Sequence, residues 1–128
     1  MKEAIFTQKA PEPIGPYSQA VRVGNLLFVS GQVPLDPSTG EMVQGDITVL
    51  TKRVMDSIIA ILSAADMTST QIVKANIYLA DINEFSEMNN AYSAYFNEGV
   101  PPARAAVQPA KLPKDARIEI EVIASTEI

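Results

Sequence analysis

The sequence predicts an α/β domain of the α+β kind, in which one mixed sheet carries both helices on a single face. Three observations lead there. Strand-like segments alternate with single helical ones, and only two segments read as helices. Gly24-Asn25 separates two apolar runs as a hairpin turn does. Two segments, Ile72 to Leu79 and Ile118 to Ala124, alternate apolar and polar residues, as strands with one buried face do.

The elements follow in order. Val21-Arg22-Val23 and Leu26 to Ser30 form the hairpin, and Pro34, Pro37 and Gly40 mark a loop after it. Asp46 is a helix N-cap; from there Ile47, Leu50, Val54, Ile58, Ile61 and Ala65 recur every three or four residues as an amphipathic stripe. In the next strand Val73, Ala75, Ile77 and Leu79 are expected on one face, and Lys74, Asn76 and Tyr78 on the other. Asn83 is expected to cap the second helix, with Phe85, Met88, Tyr92 and Tyr95 or Phe96 as its stripe and Gly99 as its end. Pro101-Pro102 then enforce an extended approach to a strand beginning near Arg104. The loop Leu112-Pro113-Lys114-Asp115 leads to the last strand, Arg117 to Ala124. The two terminal strands could pair, which would set a guanidinium beside a carboxylate. Ile118, Ile120, Val122 and Ala124 suit a core under the helices, so Glu119, Glu121 and Ile123 face the other way. That second face also receives either Leu26 and Phe28 or Leu27 and Val29, and an oligomer interface and a solvated face are equally open on pattern alone.

Composition narrows the chemistry. Residues 1–128 suit a single domain, with no internal repeat or linker. There is no Cys, His or Trp, so disulfides, thiol nucleophiles and the common Cys or His metal sites are excluded. No Gly-rich phosphate loop or calcium-loop spacing occurs, and neither a cofactor nor a metal is expected. A net charge of −5 argues against nucleic acid as a partner. No apolar run reaches the ~20 residues that span a bilayer, and Met1 to Thr7 lacks the apolar stretch of a secretory signal. Membrane partners are therefore not expected, and a cytoplasmic location fits.

Four segments carry a resemblance: Ile14-Gly15-Pro16-Tyr17-Ser18-Gln19-Ala20, Val29-Ser30-Gly31-Gln32, Pro102 to Val107, and Leu112-Pro113-Lys114-Asp115 through Glu121. In order and spacing they resemble the RidA (YjgF-type) family of 2-imino acid and enamine deaminases, over essentially the whole chain. The resemblance implies a chorismate-mutase-like fold. It further implies a homotrimer with sheets inside, helices outside and an active site in each cleft between subunits. The implied reaction is hydrolysis of 2-iminobutanoate or 2-iminopropanoate to a 2-keto acid and ammonia, without a cofactor. Arg104 would hold the substrate carboxylate, as a planar guanidinium does well. Glu119 would orient water and move protons; Glu121, on the same strand face, is its rival on pattern alone. Tyr17, Gly31, Asn89 and Ala106 would line the site. Ala106 replaces the Cys of many members, and the family uses that position mainly through its backbone carbonyl. A non-catalytic carboxylate-binding module remains the alternative. An endoribonuclease is disfavoured by the acidic balance and the missing His.

Overall fold

The structure is a computed structural model and describes residues 1–127. Six strands form one mixed sheet in the order β1-β2-β3-β6-β4-β5. They are β1 (Glu3–Ile5), β2 (Ala20–Val23), β3 (Leu26–Gln32), β4 (Ile72–Leu79), β5 (Ala103–Val107) and β6 (Ile118–Ser125). Two helices, α1 (Ile47–Ala64) and α2 (Phe85–Ser93), pack on one face. The short edge strand β1 pairs antiparallel with β2 and was not anticipated; three residues carry too little pattern to read.

The hairpin β2–β3 turns at Gly24, whose φ of 57° suits glycine. Asp46 caps α1 as expected, its carboxylate accepting from the Val49 N–H at 3.0 Å. Ile47, Leu50, Val54, Met55, Ile58, Ile61 and Leu62 of α1 are buried against Leu27, Val29, Ala75, Ile77, Ile118, Ile120 and Val122 of the sheet. Met88 and Tyr92 bring α2 into the same core.

Three local expectations are corrected. Val73 does not face the core: a register shift between Ile72 and Lys74 bulges it outward, and Ile72 is the buried residue. A bulge inserts one residue, so strict alternation misassigns the residue before it. Asn83 does not cap α2. Asp81 opens a 3-10 turn (Ile82–Glu84), accepting from the Asn83 N–H at 2.9 Å, and that turn runs into α2. The helix ends at Ser93, well before Gly99.

The larger correction concerns topology. β5 and β6 do not pair with each other. β4 lies between them, parallel to β5 and antiparallel to β6, and β6 in turn separates β4 from β3. The last strand thus fills the centre of the sheet, which explains why its core-facing residues Ile118, Ile120 and Ala124 are fully buried. The hairpin parity is also settled. Leu27 and Val29 lie under the helices, whereas Leu26 and Phe28 stand on the open face, 40% and 43% exposed.

The bulge has a measurable consequence. Ile72→Ala is expected to cost about 2–5 kcal/mol through cavity formation, whereas Val73→Thr should change stability by less than about 0.5 kcal/mol. Urea unfolding of the two variants checks this, and equal losses would contradict the bulged register.

Candidate active site

A cleft of about 540 Å³ opens at the end of β3 and the start of β6, on the sheet face away from the helices. Tyr17, Gln19, Ser30, Gly31, Gln32, Glu119 and Glu121 contribute to its wall, together with Ile14, Leu35 and, from the turn Pro113–Asp115, Pro113 and Lys114. That turn holds Lys114 and Asp115 at φ of 56° and 54°, a left-handed conformation that costs non-glycine residues energy.

Glu119 lies directly over Gly31. A Cβ added at Gly31 would stand 1.9 Å from Glu119 Oε2 and 2.8 Å from its carboxyl carbon. The absent side chain is what admits the carboxylate to the β3 backbone, where the ladder between Val29 and Gln32 shifts register. Burial and, secondarily, the neighbouring Glu121 push the Glu119 carboxyl above its ordinary value.

The two acids are distinguished by their partners. Glu121 accepts hydrogen bonds from the Tyr78 hydroxyl at 2.7 Å and from Asn76 Nδ2 at 3.2 Å, both from β4. Glu119 has no hydrogen-bond or ion-pair partner among the described residues. Of the pair, it is the carboxylate left available to a ligand.

Another part of the wall depends on one buried side chain, Gln19, whose role has no sequence signal. Gln19, 1% exposed, accepts from the Thr7 N–H at 2.7 Å and donates to the carbonyls of Thr7, Ala10 and Pro11 at 3.0, 3.3 and 2.9 Å. It thereby fixes the segment that carries Pro11 to the cleft. Ser30 secures the next stretch, donating from Oγ to the Ser18 carbonyl at 2.6 Å and from its N–H to the Gln19 carbonyl at 2.9 Å. Tyr17 immediately precedes this anchored stretch, half-exposed at the rim.

Arg104 is elsewhere. Its register partner across the parallel β4–β5 pair is the buried Ala75, so its side chain is on the helix side of the sheet. There one guanidinium nitrogen donates to Asn89 Oδ1 at 2.6 Å. The guanidinium carbon lies 5.4 Å from the Phe85 ring centroid and 5.1 Å from that of Tyr92. Ala106 is on the same side, packed against the core. The expected site residues thus divide into two groups: Tyr17, Gly31 and Glu119 line the cleft, while Arg104, Asn89 and Ala106 gather at the β5 edge. The expected proximity of Arg104 to Glu119 does not occur within one chain, because strand β4 and the thickness of the sheet separate them. Among the described residues, no three acidic side chains converge as a metal site.

A mixed sheet backed by two helices, with an unpartnered carboxylate on its open face, defines the class of molecule. The chain belongs to the RidA family: residues 7–126 match the family model described as Endoribonuclease L-PSP. It is 56% identical over 126 residues to a RutC family protein of Pyrococcus abyssi, covering 98% of both chains. It is 48% identical over 124 residues to the 2-iminobutanoate/2-iminopropanoate deaminase of Bos taurus, covering 97% of this chain and 90% of that one. The crystal structure of E. coli TdcF with bound serine superposes with a TM-score of 0.91 at 39% identity, over 96% of this chain and 98% of that one.

The contact between Glu119 and Gly31 is open to a double-mutant test. Gly31→Ala is expected to destabilise by about 1–3 kcal/mol through overpacking. In a Glu119→Ala background most of that loss should vanish, since the colliding carboxylate is gone. Urea unfolding of the four proteins measures the coupling, and an unchanged penalty would refute it.

Proposed function

We propose that this protein is a cofactor-independent hydrolytic deaminase that converts 2-imino acids, such as 2-iminobutanoate and 2-iminopropanoate, to 2-keto acids and ammonia. The observation that carries the reading is the Glu119 carboxylate: unpartnered, raised in pKa by burial, and laid against Gly31 in a cleft. The bovine relative's name supports the reaction, and serine bound to TdcF supports a small ligand bearing a carboxylate and a nitrogen.

The chemistry follows from the substrate. A protonated imine is already electrophilic and needs no electron sink. Ionised Glu119 takes a proton from water as the oxygen adds to the imine carbon, giving a carbinolamine. The same carboxyl then returns the proton to nitrogen; as the C–N bond breaks and ammonia departs, the re-ionised carboxylate takes the hydroxyl proton, the carbinolamine oxygen becomes the ketone of the 2-keto acid, and that proton leaves with the ammonia as ammonium. Tyr17, at the rim, is suited to donate its hydroxyl to the ligand. Arg104 is suited to the substrate carboxylate, since Asn89 occupies only part of its donor fork. Ala106 offers its backbone carbonyl to the water.

This reading requires a second copy. Arg104 and Glu119 lie on opposite sides of the sheet in one chain, while the open face carries Val21, Val23, Leu26, Phe28 and Ile123 beside the acids. In the assembly proposed here, three chains close their open faces around an axis, and the β5 edge of one chain meets the Glu119 cleft of the next. Because Leu27 and Val29 are core residues, charging them would unfold the chain; Leu26 and Phe28 are the residues that report assembly. Phe28→Asp should leave a folded species of lower mass that has lost its activity. Light scattering across a dilution series, paired with a semicarbazide trap for residual imine, tests this. A fully active monomer would refute it.

The residue roles have their own test. Arg104→Ala and Arg104→Lys should each lower kcat/KM at least about tenfold, since a charge-assisted pair contributes about 1.5–3 kcal/mol. Because the first step uses ionised Glu119, kcat/KM should fall as pH drops through its pKa, and Glu119→Gln should be slow with no such limb. A folded Arg104→Ala protein of near wild-type rate, or an unchanged acid limb in Glu119→Gln, would remove those assignments.

A further inference from the structure

We infer that Phe85 and Tyr92 are positioning residues for anion recognition: with Asn89 they clamp the Arg104 guanidinium so that its unused donors face a carboxylate outside the chain. The inference rests on the proposed role of Arg104 and extends it to two residues that read, in sequence, as an ordinary apolar helix stripe. Both rings come from α2, where positions 85, 89 and 92 lie about one turn apart on one face. The guanidinium carbon is 5.4 Å from one ring centroid and 5.1 Å from the other, within cation–π range of both. Asn89 Oδ1 holds one terminal nitrogen at 2.6 Å. Two rings and one acceptor restrict a side chain that would otherwise turn freely about its terminal torsions, and less rotamer entropy is then lost when an anion binds. No carboxylate pairs with Arg104 among the described residues, so the clamp does this without neutralising the charge.

Tyr92 separates ring from hydroxyl. It is 5% exposed, and its hydroxyl has no hydrogen-bond partner among the described residues. A second aromatic contact, with Phe96 at 4.6 Å between centroids, fixes the ring itself. The face of the ring, and not its oxygen, is what the arrangement uses.

The experiment measures binding, turnover and guanidinium motion in the intact protein. The probe is 2-oxobutanoate, a stable 2-keto acid, with affinity taken by calorimetry. Phe85→Leu and Tyr92→Leu should each weaken binding roughly three- to tenfold and raise KM similarly, with kcat much less affected. Tyr92→Phe should restore the affinity that Tyr92→Leu loses. In nitrogen-detected NMR, the Arg104 guanidinium, assigned by its loss in Arg104→Lys, should show slowed rotation in the wild type and freer rotation in the two leucine variants. A packing defect alone would move the unfolding midpoint without this signature. If the leucine variants keep wild-type affinity and KM, or if they lose affinity while the Arg104 signal is unchanged, the clamp is wrong even though the deaminase reading stands. If the protein binds 2-oxobutanoate with the expected ring dependence but hydrolyses no imine, the deaminase reading fails and the clamp survives. If the wild type binds no 2-oxobutanoate, both fall.

Discussion

Two helices cover one face of a six-stranded sheet, and the face left open governs the rest of the molecule. Burial of the helix-side residues fixes the register of every strand, because a slip of one residue would turn the whole apolar set outward. With that register fixed, Glu119, Glu121 and Tyr78 have no choice of side: they stand on the open face beside Leu26, Phe28 and Ile123. The mixture of acids and apolar side chains is therefore a direct consequence of core formation on the other side. An open sheet face this apolar suits an interface, and the proposed function accordingly needs an assembly and not one chain.

Within that face, the two acids differ in their surroundings. Two carboxylates on alternate residues of one strand repel each other, and Glu121 adds to the cost of ionising Glu119. Tyr78 and Asn76 relieve Glu121 with two hydrogen bonds. The Tyr78 phenol is itself held protonated above its ordinary range, chiefly by that bond to Glu121. Glu119 receives no such relief and is partly desolvated, and its carboxyl is pushed above its ordinary value. Gly31 makes the arrangement possible, since any Cβ would occupy the space of the carboxylate. A strand glycine and a strand glutamate, far apart in sequence, thus form one structural unit.

Much of this was legible in the sequence, and the failures have particular causes. The hairpin, both helices and the alternation of the last strand followed from turn chemistry and periodicity. The motif segments from Ile14 to Ala20 and from Leu112 to Glu121 identified the family, which the match over residues 7–126 shows. Strand order was not legible: nothing local tells Ile118 to Ser125 to insert between β3 and β4, because that choice is made by long-range burial. Val73 was misassigned because a bulge breaks the period on which the assignment relied. The role of Gln19 was hidden because its four hydrogen bonds go to backbone groups, which leave no pattern in side-chain identity. Phe85 and Tyr92 were read only as core, since periodicity reports which way a residue faces and not that a guanidinium lies beside it.

The separation of Arg104 from Glu119 is the most consequential of these findings. Side by side in one chain, the two would satisfy each other: the guanidinium would lower the carboxyl pKa, and the ion pair would close the space a ligand needs. The inserted strand β4 prevents this. It leaves Arg104 among aromatic faces and an amide, none of which carries charge, and leaves Glu119 over a glycine with no ion-pair partner among the described residues. Neither group forms an ion pair among the described residues, so each has charge left to offer a ligand or a second chain. A reaction that needs both a fixed cation for a carboxylate and a carboxyl for proton transfer then requires a second copy to bring them together, so in this reading assembly is part of the active site.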